Sequence, residues 1–298
     1  MNGLLLCISV VMNLLSCGIL RNDFCKSEIQ TDADLHAFNA ISSVLSAIVL
    51  TVVAAVSRTL CMPSLYTLLL GVVFGLATAL CAVLHMKALE SGPLSYTNVI
   101  TSCAMVIPAL SGLLLFGESV TAGQAAGIVL MVISFVCAVD TSANGMGTSL
   151  KWFLLCLGSF LCSGAVGVMQ KVHQSSPQRD ELGIFLIIAF VVSALFSAVM
   201  ALQGRSKGQQ LTVLAPAKRK KLLLISLICG VGIALCNQIN MYLAGVMNAM
   251  IFYPVVNGGS MLLTTAAGVL LWHEKPTRRQ WFGLIIGGAA IFLLCGIF

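Results

Sequence analysis

Ten apolar stretches, each long enough to cross a bilayer, are separated by short polar breaks along the 298-residue chain. They centre near residues 11, 46, 75, 105, 130, 161, 192, 233, 261 and 288. A spanning helix takes roughly 20 predominantly apolar residues, so the pattern predicts ten transmembrane helices. Polar groups inside a bilayer are costly, and the few that interrupt these stretches are therefore the ones to weigh for function.

Composition removes the alternatives. Charged residues make up 9% of the chain and hydrophobic ones 59%, against about a quarter charged in soluble domains, and mean hydropathy is +1.02. A soluble core is excluded. The 16 Lys and Arg outnumber 10 Asp and Glu, yet every charge falls in a loop or at a helix end. The run "AKRKK" (residues 217–221) opens the eighth stretch, where basic side chains anchor at headgroups. It is read as an interfacial anchor, and no nucleic-acid partner is expected. Ten of the 12 cysteines lie inside apolar stretches without any C-x-x-C spacing, so they act as small hydrophobes. No disulfide framework, metal site or cofactor is expected. Residues 1–20 lack the basic start of a signal peptide and are taken as a retained first span.

The chain writes one piece of punctuation twice. "GESVTAGQAAG" (residues 117–127) and "HEKPTRRQWFG" (residues 273–283) share the skeleton E-x-x-T-x-x-Q-x-x-G, a constant 156 positions apart (274 minus 118). At the same offset Ala88 meets Ala244, Met105 meets Met261 and Gly112 meets Gly268. Five spans are thus written twice, in halves of residues 1–140 and 141–298. An odd number of spans per unit forces the second unit to start on the opposite side of the bilayer, so the halves are inverted repeats. Such repeats are a common construction of secondary transporters.

Thr-x-x-Gln is a capping box, in which the threonine hydroxyl accepts from the glutamine amide and the glutamine side chain reaches back to the threonine N–H. Thr121 with Gln124, and Thr277 with Gln280, are therefore expected to start spans five and ten. Gly127 and Gly283 let those helices approach their neighbours. Glu118 and Glu274 precede the caps, where a negative charge suits a helix N-terminus. On these residues the chain resembles the EamA-type transporters of the drug/metabolite transporter superfamily. Lys26 and Lys171, after the first span of each half, are similar to a lysine often found there. The resemblance implies an all-α integral membrane protein of ten transmembrane helices in two inverted five-helix repeats, transporting small metabolites. It places the chain in the bacterial cytoplasmic membrane, as a monomer or homodimer. The prolines depart from the family pattern, which leaves the kink positions in spans four and nine open.

Candidate substrate-binding residues follow from polar stripes. Thr97 and Thr101 are one turn apart in span four, with Asn98 close by, and their counterparts at the repeat offset are Tyr253 and Asn257 in span nine. Pro254 removes a backbone donor and Gly258–Gly259 loosens the helix, so span nine is expected either to unwind there or to use Gly258, Gly259 and Ser260 for tight helix packing. Span eight carries "CNQINMY" (residues 236–242), in which Asn237 and Asn240 share one face and Gln238 and Tyr242 another. His85 is taken as the one histidine inside a span and a possible proton relay, against the plainer reading of a polar contact near the surface. None of the acidic residues falls mid-span, which disfavours proton-driven export of lipophilic cations. A cavity of amides, hydroxyls and aromatics suits a neutral or zwitterionic solute such as an amino acid. Polyspecific drug or cation efflux, and a non-transporting membrane scaffold, are the alternatives. No nucleophile–base or metal-ligand constellation points to an enzyme. A cytoplasmic N-terminus, the family's usual arrangement, leaves most basic residues outside, contrary to the positive-inside rule, so orientation stays open.

Overall fold

The protein is described by a computed structural model covering residues 2–91, 97, 100–137, 149–271 and 277–295. Every regular element among them is helical. Helix α1 (Asn2–Asn13) runs into a π-helix (Leu14–Arg21) and a short α2 (Asn22–Glu28). Then follow α3 (Asp32–Val56), α4 (Leu65–Ser91), a 3₁₀ turn (Cys103–Met105) leading into α5 (Val106–Phe116), and α6 (Ala122–Cys137). The remainder comprises α7 (Leu150–Gln174), α8 (Leu182–Ser206), α9 (Pro216–Val246), α10 (Ala249–Leu271) and α11 (Arg278–Leu294). Six helical stretches are long and apolar enough to cross a membrane: Asn2–Arg21, Asp32–Val56, Leu65–Ala88, Leu150–Gln174, Arg179–Ser206 and Pro216–Val246. The other apolar stretches fall on Ile100–Phe116, Ala122–Ser134, Ala249–Leu263 and Trp281–Leu294.

The helices divide into two compact units, one of Gly3–Ala79 with His173–Tyr242, the other of Leu80–Val172 with Leu243–Phe298. In the first, Phe24 stacks on Phe38 with ring centroids 5.0 Å apart, in a cluster with Ala201, Val213, Leu222 and Cys229. Lipid tails are as apolar as leucine, so helices in a bilayer associate through close packing and small residues rather than through hydrophobic burial. Gly71 and Gly75 of α4 form such a surface: a Cβ at Gly75 would sit 2.5 Å from the Ala189 carbonyl of α8. The Asp34 carboxylate, fully buried in the first turn of α3, accepts from Thr212 Oγ1 (2.6 Å) and the Val213 amide (3.1 Å). The basic run in the first turns of α9 is partly neutralised, since Lys218 and Lys221 reach Glu28 at 3.0 and 2.7 Å. Hydrogen bonds from Lys221, then Lys218, hold the Glu28 carboxyl below its ordinary range.

The second unit contains both copies of the repeated punctuation. Gly117 ends α5 in the left-handed conformation (φ 62°) that glycine tolerates. The capping box then forms as expected: Gln124 N donates to Thr121 Oγ1 (3.2 Å) and Thr121 N to Gln124 Oε1 (3.0 Å). In the second copy α11 starts directly after Thr277, whose carbonyl accepts from Trp281 N (3.1 Å). The Gln280 side chain lies outside the described residues. Gly127 faces α11, where an added Cβ would meet Leu294 Cγ at 2.8 Å, and Ser134 Oγ donates to the Gly283 carbonyl (2.6 Å). The two motif glycines therefore serve one helix pair, α6 with α11. Thr121→Ala is expected to cost about 1 kcal/mol in thermal unfolding of the detergent-solubilised protein; an unchanged melting temperature is the opposing result.

One expectation about helix continuity is corrected. Span nine does not unwind: α10 runs unbroken through Pro254, Gly258 and Gly259. Gly258 is held against Met131 of α6, so its lack of a side chain serves packing. The irregularities lie elsewhere. The π stretch in the first span coincides with Ser16, whose hydroxyl takes the Met12 carbonyl (2.6 Å) that an α-helix would give to the Ser16 amide. In span four the 3₁₀ turn ends three residues before Pro108, which lies in the first turn of α5.

Candidate functional site

Where a polar stripe points is decided by its neighbours, and the sequence candidates divide accordingly. Thr97 is fully buried; its Oγ1 accepts from Trp152 Nε1 (2.9 Å) at the start of α7. Thr101 Oγ1 donates to the Thr97 carbonyl (3.0 Å). Asn98 lies outside the described residues. Tyr253 is 4% exposed and its hydroxyl donates to the Gly167 carbonyl of α7 (2.6 Å). That contact is possible because position 167 has no side chain: a Cβ there would lie 2.7 Å from Pro108 Cγ and 3.3 Å from Tyr253 Cε1. Thr97 and Tyr253 thus serve helix packing in this structure.

Asn257 differs. From Phe252 to Gly259 every residue of α10 is buried except Asn257, which is exposed. Its Nδ2 donates back to the Tyr253 carbonyl (2.9 Å), which steadies the carboxamide. An asparagine turned to hydrocarbon is unfavourable, so Asn257 is the residue of this stretch to weigh as a solute contact.

In the first unit, α9 presents its amides differently. Asn240 Oδ1 accepts from Ser9 Oγ of α1 and Asn237 Nδ2 donates to the Ile233 carbonyl (2.9 Å). The Gln238 Oε1 atom is buried and has no hydrogen-bond partner among the described residues. A buried carbonyl oxygen without a donor is costly, and it marks Gln238 as the amide in this stretch that calls for one from a solute or water. A cleft of about 470 Å³ between α3 and α8, lined by Val44, Ile48, Val191 and Leu195 among others, is apolar. Its one hydroxyl, Thr51, donates to the Ala47 carbonyl (2.8 Å), so the cleft offers a polar solute nothing.

His85 is not the only histidine inside a span. His36 and His173 also lie in helices long enough to cross a membrane, and they are 6% and 0% exposed, whereas His85 is half-buried.

Sequence reasoning missed the part played by Glu118. Its carboxylate does not serve the helix it precedes. Oε1 pairs with Lys171 Nζ of α7 at 2.6 Å, with side chains 15% and 6% exposed. Oε2 accepts from the Ala249 amide at the start of α10 (2.7 Å). Lys171 also donates to the Met247 carbonyl (3.0 Å) and lies 5.9 Å above the Phe116 ring. Asn248 completes the junction by accepting from Met250 N (2.8 Å) and donating to the Ser119 carbonyl (3.2 Å). The available signal was the recurrence of one lysine and one glutamate in each half. Among the described residues no cluster of His, Cys, Asp and Glu has a metal-binding arrangement.

Apolar helices of spanning length, a turn motif written twice and polar groups within those helices characterise a polytopic membrane protein. The chain belongs to the EamA-like transporter family, whose model matches residues 24–139 and again residues 150–296. A protein of Haemophilus influenzae that is itself uncharacterized is 23% identical over 221 residues, covering 71% of this chain and 70% of its own. A solved crystal structure of a protein superposes with a TM-score of 0.71 over 99% of both chains at 11% identity, a likeness of fold alone.

Proposed function

We propose that this family member is a secondary transporter for a small neutral or zwitterionic metabolite, such as an amino acid. Its ten spans form two inverted five-helix repeats, residues 1–140 and 141–298, that alternate access to the solute. Asn257 carries the proposal, as the one exposed residue on an otherwise buried stretch of α10. A carboxamide oxygen asks for a hydrogen-bond donor on the solute, which amino and hydroxyl groups supply.

Export of lipophilic cations needs a carboxylate free to pair with them. Glu118 is already paired with Lys171, and Asp34 is satisfied by its three hydrogen bonds from Gln30, Thr212 and Val213. These contacts favour the neutral solute over the cation.

A ligand that binds the folded protein raises its apparent stability. The test is thermal unfolding in detergent with pools of amino acids, nucleosides, sugars and organic cations. Stabilisation by a neutral or zwitterionic pool supports the proposal, and stabilisation by the cations alone overturns it.

A further inference from the structure

The apolar cleft between α3 and α8 has nothing for a polar solute, and the bilayer around it decides what it takes. It lies between two helical stretches of spanning length, Asp32–Val56 and Arg179–Ser206. The two helices run antiparallel: a Cβ at Gly204 would meet Ala33 at 2.9 Å, and one at Gly183 would meet Ala54 at 3.8 Å. The lining extends over residues 40–52 of α3 and 187–198 of α8, with the buried Ala47 and Ala194 at its floor. At 1.5 Å per residue the cleft is about 18 Å long, close to the hydrocarbon depth of one leaflet, about 15 Å. A void forfeits the dispersion contacts of its lining, so a cleft at this depth calls for an acyl chain or another apolar helix.

One end of the cleft is charged. Val191, Leu195, Ala198, Leu202 and Arg205 recur at helical spacing and therefore share one face of α8. The first three line the cleft, and Leu202 and Arg205 are exposed, so the same face carries on from the cleft to a guanidinium. Lys207, also exposed, follows directly after α8. Arg219 and Lys220, in the first turns of α9, are exposed at this end of the unit as well. The exposed acids here are Asp23 and Asp32, since Glu28 is taken by Lys218 and Lys221 and Asp34 is buried. The opposite end has Arg58 and Arg179, and Arg179 is 4.0 Å from Asp180.

We propose that the cleft holds an acyl chain of an anionic phospholipid whose phosphate is bound by Arg205 and Lys207. Ala198 and Arg205 are about 10 Å apart along α8, enough to cross the interfacial layer of about 6 Å on each side of the hydrocarbon. The chain then runs down the cleft while the phosphate oxygens accept from the guanidinium and the ammonium, charge-assisted bonds that a zwitterionic headgroup satisfies less well. A second copy of this chain is the rival occupant. A parallel two-fold dimer sets the same patch against itself, so packing this face of α8 on its copy brings Arg205 against Arg205. A lipid phosphate supplies the missing counter-charge, and the charge at the end of the cleft therefore selects the lipid.

The test is native mass spectrometry of the delipidated full chain in detergent, with dioleoyl phosphatidylglycerol or dioleoyl phosphatidylcholine added and no solute. The wild type is expected to hold phosphatidylglycerol at least about tenfold more tightly than phosphatidylcholine, and the Arg205→Gln, Lys207→Gln double variant to lose that preference, as two cations at the headgroup imply. The double variant alters exposed side chains only. Ala198→Phe on α8 and Val44→Phe on α3 each place a ring in the cleft without touching a charge, and each is expected to remove the bound lipid. Arg58→Gln, at the other end, is expected to leave binding unchanged. Equal retention of the two lipids by the wild type overturns the proposal, as does full preference in the double variant. So does loss of the preference in Arg58→Gln instead, or a dimer of the chain that Ala198→Phe breaks while lipid retention stays intact. Since no solute takes part, a negative outcome here leaves the transport proposal standing, and absence of transport leaves this one standing.

Discussion

Replacing Lys171 with methionine is expected to destabilise the protein by about 3 kcal/mol, because one partner of a buried ion pair is left behind. With the ammonium gone, Glu118 keeps its bond from the Ala249 amide but loses its counter-charge in a site where its side chain is 15% exposed. The Met247 carbonyl loses its donor at the same time. Glu118→Gln is expected to be milder, since a carboxamide oxygen still accepts from Ala249. The Lys171→Met, Glu118→Gln double variant is expected to recover much of the loss. Groups in contact are not additive, and the shortfall measures their coupling. Denaturant or thermal unfolding in detergent checks all three. A Lys171→Met protein within about 0.5 kcal/mol of the wild type, the range of ordinary surface changes, contradicts the account of the junction.

Asn257→Ala is expected to lower solute flux at least about tenfold, the effect of losing one solute hydrogen bond worth about 1.5 kcal/mol. Folding is expected to be nearly unchanged. The side chain is exposed and bonds only to the Tyr253 carbonyl one turn back in its own helix. Tyr253→Phe is the informative contrast: it removes the bond to Gly167 and is expected to act on stability. Asn257→Asp places a negative charge on the same open face and is expected to move selectivity toward cations. If Asn257→Ala transports like the wild type while folded, Asn257 is not a solute contact.

That the fold is helical, with membrane-spanning segments, was legible in the pattern of apolar stretches, and the Thr121–Gln124 cap was legible to the atom because a capping box is local. What depends on tertiary approach was not. Spacing shows that Thr97, Thr101, Tyr253 and Asn257 share a stripe. Whether a stripe meets protein or water depends on the helix opposite: α7 covers Thr97 through Trp152 and Tyr253 through Gly167. Glu118 misled for a related reason. It lies beside one helix N-terminus in sequence and caps another, at Ala249, 131 positions away. Pro254 and its following glycines resemble a helix break, yet packing of Gly258 on Met131 holds α10 together. The π turn at Leu14–Arg21 had no sequence signal.

The central claim is transport of a small neutral or zwitterionic solute, and counterflow in proteoliposomes tests it most directly. Vesicles holding the purified protein are loaded with unlabelled amino acids, then exposed to trace labelled solute, with protein-free vesicles as the control. The expected result is transient accumulation of label in wild-type vesicles, reduced at least about tenfold with Asn257→Ala. Accumulation of organic cations in place of neutral or zwitterionic solutes, undiminished by Asn257→Ala, contradicts the account.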